Sequence, residues 1–219
     1  MPHRITLFAG HYGSGKTNIA VNYALWLKQI FDRVLIADLD IVNPYFRTKD
    51  SLDDLNKAGI RLISSTYANS NVDLPSLPTE MYAITDERDS MAVVDIGGDD
   101  RGAYALGRYV PAILEENDYD MLMVINRYRP LTTTPKDTAE VMREIEAACH
   151  IRFTGLVNNS NLGDLTTVDD VIASAGYAEG VSALTGLPVA FTSVRADLAD
   201  GVRQIIKNVF PLTLQKKYY

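Results

Sequence analysis

Gly10-His11-Tyr12-Gly13-Ser14-Gly15-Lys16-Thr17 decides how this chain reads. The stretch fits G-x-x-x-x-G-K-[ST], and its flanks fit as well. Ile5-Thr6-Leu7-Phe8-Ala9 ahead of it reads as a short buried strand, and Thr17 to Ile30 behind it reads as a helix. A loop that runs from a strand into a helix N-terminus offers successive backbone N–H groups, the positive end of a dipole and, here, one ammonium. That combination suits a polyphosphate. Gly10, Gly13 and Gly15 permit a close backbone approach, Lys16 would reach the outer phosphates and the Thr17 hydroxyl would ligate Mg²⁺. His11, Tyr12, Ser14 and Asn18 complete the candidate phosphate-binding set.

Outward from the loop, short apolar runs alternate with longer amphipathic ones. Strands are predicted over 4–9, 33–37, 60–64, 92–95, 121–126, 153–158 and 188–193. Each is short, rich in Val, Ile and Leu and nearly free of charge, as strands buried on both faces of a parallel sheet are. Helices are predicted over 16–31, 101–116, 135–148, 167–184 and 198–208. Thr134 before Pro135 reads as an N-cap followed by proline at the first helical position, and Gly186-Leu187-Pro188 as a helix stop leading into a strand. The alternation implies an α/β fold of three layers, a mostly parallel central sheet flanked by helices. With no repeat, linker or shift in composition, residues 1–219 read as one nucleotide-binding domain. The least regular stretch, 65–89, is expected to be a long excursion with a short helix near 78–84.

Composition narrows the classes. Of 219 residues, 47% are hydrophobic and 22% charged, enough apolar material for a sizeable core and too much for a disordered chain. No apolar run approaches the ~18 residues of a spanning helix, and no cleavable leader is read at the N-terminus, so a cytoplasmic protein is expected. The net charge of −7 argues against tight non-specific binding to nucleic acid, which depends on Lys and Arg neutralising phosphates. Arg203, Lys207, Lys216 and Lys217 are the residues that would form a basic patch. The single cysteine, Cys149, forms no internal disulfide and lacks the partners for a zinc or iron–sulfur site.

Two acidic clusters follow predicted strands, Asp38-Leu39-Asp40 and Asp95-Ile96-Gly97-Gly98. In a parallel sheet these positions face the crevice at the carboxyl edge, where ligands bind. Mg²⁺ is usually held through one or two carboxylates, phosphate oxygens and waters, so aspartates beside a phosphate loop are its expected partners.

Together, the loop with its early glycine and these two clusters resemble the ParA/MinD family of P-loop ATPases, within the SIMIBI class that also holds the CobQ/CobB group. The resemblance covers essentially the whole chain in motif order. It implies ATP and Mg²⁺ as ligands, with Thr17, Asp38 and Asp95 around the metal and Lys16, Asp38 and Asp40 as the catalytic set. Asp40 would orient the attacking water in a first switch that includes Asn43, and Gly98 would contact the terminal phosphate in a second. Asn158, with Asn159 in reserve, resembles the strand-end asparagine that reads adenine, and Ser193 to Asp197, with Ser193 and Arg195, resembles the loop closing over the base. The guanine motif N-K-x-D is absent at Asn126-Arg127-Tyr128-Arg129, which favours adenine.

One departure stands out. Family members that hydrolyse ATP in a nucleotide-sandwich dimer carry a lysine directly after the first loop glycine, and here His11 occupies that place. A histidine is shorter and mostly neutral near pH 7. Weak hydrolysis is therefore expected, with ATP binding controlling homodimerisation and contact with a protein partner. The lone cysteine separates the chain from relatives that bridge an iron–sulfur cluster, and the short tail after Pro211 from those that lie on membranes. An alternative from another class is a biosynthetic enzyme of the dethiobiotin synthetase or CobQ kind that phosphorylates a small carboxylate. It would use a pocket formed by Asn43-Pro44-Tyr45-Phe46-Arg47 and the 65–89 excursion.

Overall fold

A computed structural model describes residues 1–40, 52–64, 79–98 and 100–214. Asn43 and its neighbours through Arg47, most of the 65–89 excursion, Lys216 and Lys217 lie outside the described residues.

Among the described residues, eight strands form a single sheet: β1 (Ile5–Ala9), β2 (Val34–Asp38), β3 (Arg61–Ser64), β4 (Met91–Asp95), β5 (Tyr119–Ile125), β6 (Gly155–Asn158), β7 (Val189–Arg195) and β8 (Val209–Leu212). Their spatial order is β3-β2-β4-β1-β5-β6-β7-β8, and every pairing is parallel. The helices are α1 (Lys16–Lys28), α2 (Leu52–Lys57), α3 (Ala83–Asp86), α4 (Asp100–Gly107), α5 (Val110–Glu116), α6 (Pro135–Cys149), α7 (Val168–Ala173), α8 (Ala175–Thr185) and α9 (Ala199–Arg203).

The period of two along each strand sorts its side chains into two cores. Ile5, Leu7, Ala92, Val94, Met121 and Met123 face one layer, where Leu106 of α4, Tyr109 at the cap of α5, Ile113 of α5, Met142 and Cys149 of α6 and Val181 of α8 meet them. Phe8, Ile36, Val93, Val124 and Val157 face the other, against Ile19, Tyr23 and Leu27 of α1 and Leu55 of α2. On that second face an aromatic cluster links α1 to the far strands: the Tyr23 ring lies 5.3 Å from Phe8, 6.3 Å from Phe191 and 6.0 Å from Phe210, and Trp26 is 6.2 Å from Phe210.

The expected three layers are present, with the sheet parallel throughout rather than mostly so. The Thr134 hydroxyl accepts from the Asp137 amide at 3.2 Å, and Gly186 closes α8 in the left-handed region at φ 74°. Several expectations need correction. The helix predicted over 101–116 is two, α4 and α5, and that over 167–184 breaks at Ser174 into α7 and α8. The helix predicted over 198–208 stops at Arg203. Val209–Leu212 then forms an unexpected eighth strand, in which Pro211 is tolerated because, among the described residues, only β7 pairs with it. Short helical turns run from Thr79 to Asp86, close to the prediction.

At the sheet's amino edge, Arg4 is 7% exposed. It pairs with Glu116, the last residue of α5, and donates to the carbonyls of Ile84 at 2.9 Å and Ser90 at 3.1 Å. Cys149 is wholly buried at the end of α6, where burial pushes its thiol up to about 12, so it is no nucleophile. Among the described residues, no helix is long and apolar enough to cross a membrane.

Candidate functional site

β1 delivers the chain to the middle of the sheet's carboxyl edge, and residues 10–15 turn it into α1. Gly10 lies so close to β5 that a Cβ there would overlap the Val124 carbonyl oxygen, and at Gly15, φ 92°, it would overlap the Asn159 amide nitrogen. Only glycine fits both ends of the loop. Gly15 is also the N-cap of α1 and brings no side-chain cap, so the first amides of the helix stay available to an anion.

Lys16 folds back over this cradle. It is 6% exposed, its Nζ lies 3.4 Å from the His11 carbonyl oxygen, and a Cβ on Gly98 would stand 3.0 Å from that nitrogen. Gly98 therefore touches the loop from the connection after β4, against both the Tyr12 backbone and the Lys16 ammonium. The His11 ring stays local, its Nδ1 lying 3.1 Å from the Tyr12 carbonyl oxygen, and Tyr12 is 58% exposed.

The two acidic clusters meet beside the loop. Asp38 and Asp95 pair in register at the ends of β2 and β4, and Asp95 pairs also with Phe8 of β1. Adjacent strands are about 4.8 Å apart, so the two aspartates leave neighbouring strand ends at the same level of the sheet. One Asp38 oxygen accepts from the Asp40 amide at 2.9 Å, and Asp40 packs against Gly97. Asp95 is 1% exposed; neither of its oxygens has a partner in ordinary hydrogen-bond geometry, and the Thr17 hydroxyl is the donor that comes near. Burial raises its pKa from 3.8 to about 6; the Lys16 ammonium and the Thr17 hydroxyl pull it down and Asp40 pushes it up.

A buried carboxylate with too few donors, beside a threonine hydroxyl, is a fit for hydrated Mg²⁺, whose waters would supply the missing ones. Among the described residues, no group of three His, Cys, Asp or Glu side chains could hold a metal unaided.

On the other flank, the strand ends after β5 and β6 brace the loop. Asn158 and Asn159 are adjacent, and the strand's alternation sends them to different tasks. Asn158, read from the sequence as the base contact, is fully buried. Its amide donates to the Ser174 hydroxyl at 2.8 Å, and its oxygen accepts from the Ser160 amide and hydroxyl. With its carboxamide so committed, it does not face a ligand. Asn159 instead donates to the Ser14 carbonyl at 2.6 Å and accepts from the Ser193 hydroxyl at 2.7 Å. Ser193 and Arg195 lie within β7 rather than in a loop after a last strand. Arg195 pairs with Asp197 and donates to the Asp164 carbonyl at 3.0 Å, joining the ends of β6 and β7. Asn18 accepts from the Asn22 amide on the next turn of α1.

Two residues at this edge carried no sequence signal. Asn161 is half-buried, donates to the Asn159 carbonyl at 2.7 Å and accepts from the Gly163 amide at 3.1 Å. Arg129 donates to the Gly13 carbonyl at 2.9 Å. Neither belongs to a local motif, and only the pairing of β5 and β6 brings them to the loop.

The fold is the α/β fold of P-loop NTPases. Among solved structures it is similar to the cell division protein FtsY of Thermotoga maritima, at 19% identity and a TM-score of 0.59, covering 89% of this chain and 62% of that one. It is similar also to chloroplast FtsY of Physcomitrella patens, at 19% identity and TM-score 0.58, covering 88% and 58%. The signal recognition particle receptor FtsY of Elizabethkingia anophelis, crystallised in complex with GDP, matches at 15% identity and TM-score 0.55, covering 89% and 58%. The chain thus spans about three-fifths of the length of these proteins. No family model matches it, and no curated protein matches it by sequence.

Proposed function

We propose that the chain binds a nucleoside triphosphate with Mg²⁺, specifically ATP, hydrolyses it slowly, and uses the bound state as a switch for homodimerisation and partner contact. The observation that carries this reading is the Asp95 carboxylate, buried at the mouth of the loop beside the Lys16 ammonium and the Thr17 hydroxyl and short of hydrogen-bond donors. Such a group is costly to leave unmatched, and a hydrated cation on a polyphosphate matches it.

The roles follow from placement. Loop amides and the first turn of α1 bind phosphate oxygens, and Lys16 neutralises the outer phosphates. Asp38 and Asp95 orient waters around the ion, and Asp40 holds the attacking water. When bound, Mg²⁺ supplies charge neutralisation at the phosphates. Phosphoryl transfer needs little more from the protein than positioning and charge. The catalytic water is set by Asp40 alone among these groups, and His11 replaces the lysine that would act across a dimer, so turnover is slow. Support for a docking face comes from the apolar rim around the loop: Tyr12, Leu131, Leu162 and Leu165 are 58%, 56%, 45% and 81% exposed, all on connections at the carboxyl edge.

Adenine is favoured by what stands at the end of β6. Asn158-Asn159-Ser160-Asn161 has neither the lysine nor the aspartate of a guanine motif. A guanine nucleotide is the second reading, favoured by the GDP found in the Elizabethkingia FtsY structure. Titration with Mg·ATP and Mg·GTP separates them: tighter ATP binding is expected, and tighter GTP binding overturns the choice of base. Sizing the protein with and without a non-hydrolysable ATP analogue tests the switch. A dimer formed only with the analogue is expected, and an unchanged size together with turnover stimulated by a small carboxylate would favour the biosynthetic alternative.

Asp95 also sets a pH dependence. Its pKa in the fold is above the ordinary value, so the folded chain holds a proton here that the unfolded chain has released. The ligand-free fold therefore gains stability from this group as pH falls from 7 toward 4, and loses that gain as pH rises through about 6. Cation binding needs the ionised form. Mg²⁺-dependent nucleotide affinity is expected to drop about fourfold between pH 7.5 and 5.5, one proton competing at one site. Calorimetric titration at both pH values checks this; Asp95→Asn should bind more weakly at pH 7.5 and lose the dependence.

A further inference from the structure

The carbonyl oxygens of a phosphate loop are as important as its amides, because one turned inward would repel the ligand. Two successive carbonyls are tied outward by side chains from neighbouring strand ends. Ser14 is held by Asn159 at 2.6 Å, and Gly13 by the Nε of Arg129 at 2.9 Å. The two ties differ in kind, since Asn159 is neutral and Arg129 brings a full positive charge.

Arg129 is held in place from below. Its amide donates to the Asn126 carbonyl at 3.1 Å, and its own carbonyl accepts from the Thr132 amide at 3.1 Å. The Thr132 hydroxyl closes the turn on the same Asn126 carbonyl at 2.8 Å, and the Arg127 amide bonds the Ser160 hydroxyl at 3.1 Å. The connection after β5 is thus a short, cross-braced turn that presents one side chain to the loop. A guanidinium has five N–H donors, and the Gly13 tie uses one. Among the described residues no carboxylate lies within ion-pair distance of Arg129; the same holds for Arg88, Arg108, Arg127, Arg143 and Arg152, and Arg129 differs from them in being bonded to the loop. In a chain of net charge −7, a braced arginine set against an anion cradle without an acidic partner has a charge to offer.

We propose that Arg129 is a second cation of the phosphate loop, acting within the same chain: its Nε fixes the Gly13 carbonyl outward, and its charge draws the polyphosphate alongside Lys16. The inference rests on the nucleotide reading above. Contact with the Gly13 backbone places the charge inside the ~8 Å over which physiological salt screens, so it acts on any phosphate the loop holds. The chain thereby carries two cations at the loop even though His11 replaces the family's lysine.

The test is calorimetric titration of the whole chain with Mg·ATP, inorganic triphosphate and adenosine, using the wild type, Arg129→Ala, Arg129→Lys, Arg129→Gln and Lys16→Ala. Arg129→Ala is expected to weaken Mg·ATP and inorganic triphosphate roughly tenfold, as loss of one charge-assisted contact does, and to leave adenosine unchanged. Arg129→Lys should recover most of the loss, and Arg129→Gln, which keeps a donor without the charge, should recover little. The lysine and glutamine variants keep the comparison decisive if the alanine variant unfolds. Arg129→Gln binding like the wild type, or adenosine weakening as much as ATP, overturns the proposal. If the wild type binds neither Mg·ATP nor triphosphate, the nucleotide reading fails and this inference with it. If the wild type binds, Lys16→Ala does not, and Arg129→Ala is unaffected, this inference alone fails.

Discussion

Replacing Lys16 with alanine is expected to weaken Mg·ATP binding by on the order of 100-fold or more, the loss that follows when a buried ammonium facing several phosphate oxygens is removed. The ammonium is enclosed, 6% exposed and packed beneath Gly98, so bulk water does not replace it well. A second effect accompanies the first. Lys16 is the main group holding the pKa of Asp95 down, and its removal leaves that buried carboxylate without its nearest positive charge. The variant should therefore be less stable than the wild type at pH 7.5, with the gap narrowing toward pH 5 as Asp95 takes up its proton. Titration measures the affinity and thermal unfolding at the two pH values the linkage. Unchanged affinity would remove Lys16 from the site, and a stability gap that widens on acidification would show that Lys16 and Asp95 do not interact as described.

The second large effect lies at the opposite edge of the sheet. Glu116→Ala is expected to destabilise the fold by about 3–5 kcal/mol, the range found when one partner of a buried ion pair is removed. Arg4 keeps its bonds to the carbonyls of Ile84 and Ser90, but carbonyl dipoles do not neutralise a charge, and at 7% exposure water does little of that either. The double variant Arg4→Leu, Glu116→Leu removes both charges and should lose less than Glu116→Ala, keeping only the cost of the unpaired Ile84 and Ser90 carbonyls. Chemical denaturation of the three proteins measures this, and a loss below about 1 kcal/mol for Glu116→Ala would show that solvent already reaches the pair. Nucleotide affinity should be unaffected in the double variant, since the pair joins β1, β4 and α5 at the amino ends of the strands and the loop lies at the carboxyl ends.

The loop and its layers were legible because their signals are local. Gly10 to Thr17 carries its meaning in eight consecutive residues, and buried parallel strands announce themselves as short apolar runs. Asp38 and Asp95 were legible for the same reason, each being the polar end of such a run. What was not legible depends on pairing between strands. Asn158 and Asn159 are indistinguishable as neighbours in sequence; which of them turns toward the loop is set by the pairing of β6 between β5 and β7. Arg129 reads as a loop arginine until β5 is set beside β1. β8 was hidden because Pro211 interrupts its pattern, and an edge strand bonded on one side only is where proline is admitted.

The aromatic cluster between α1 and the far strands has an optical consequence. Trp26 is the only tryptophan in the chain, so its emission has a single origin. Its indole lies among Tyr23 of its own helix and Phe210 of β8, so the surroundings of that one fluorophore change whenever the edge strand leaves the helix. The protein thus carries an internal reporter for seating of its outermost strand, at the far end of the same helix whose first turn forms the phosphate loop.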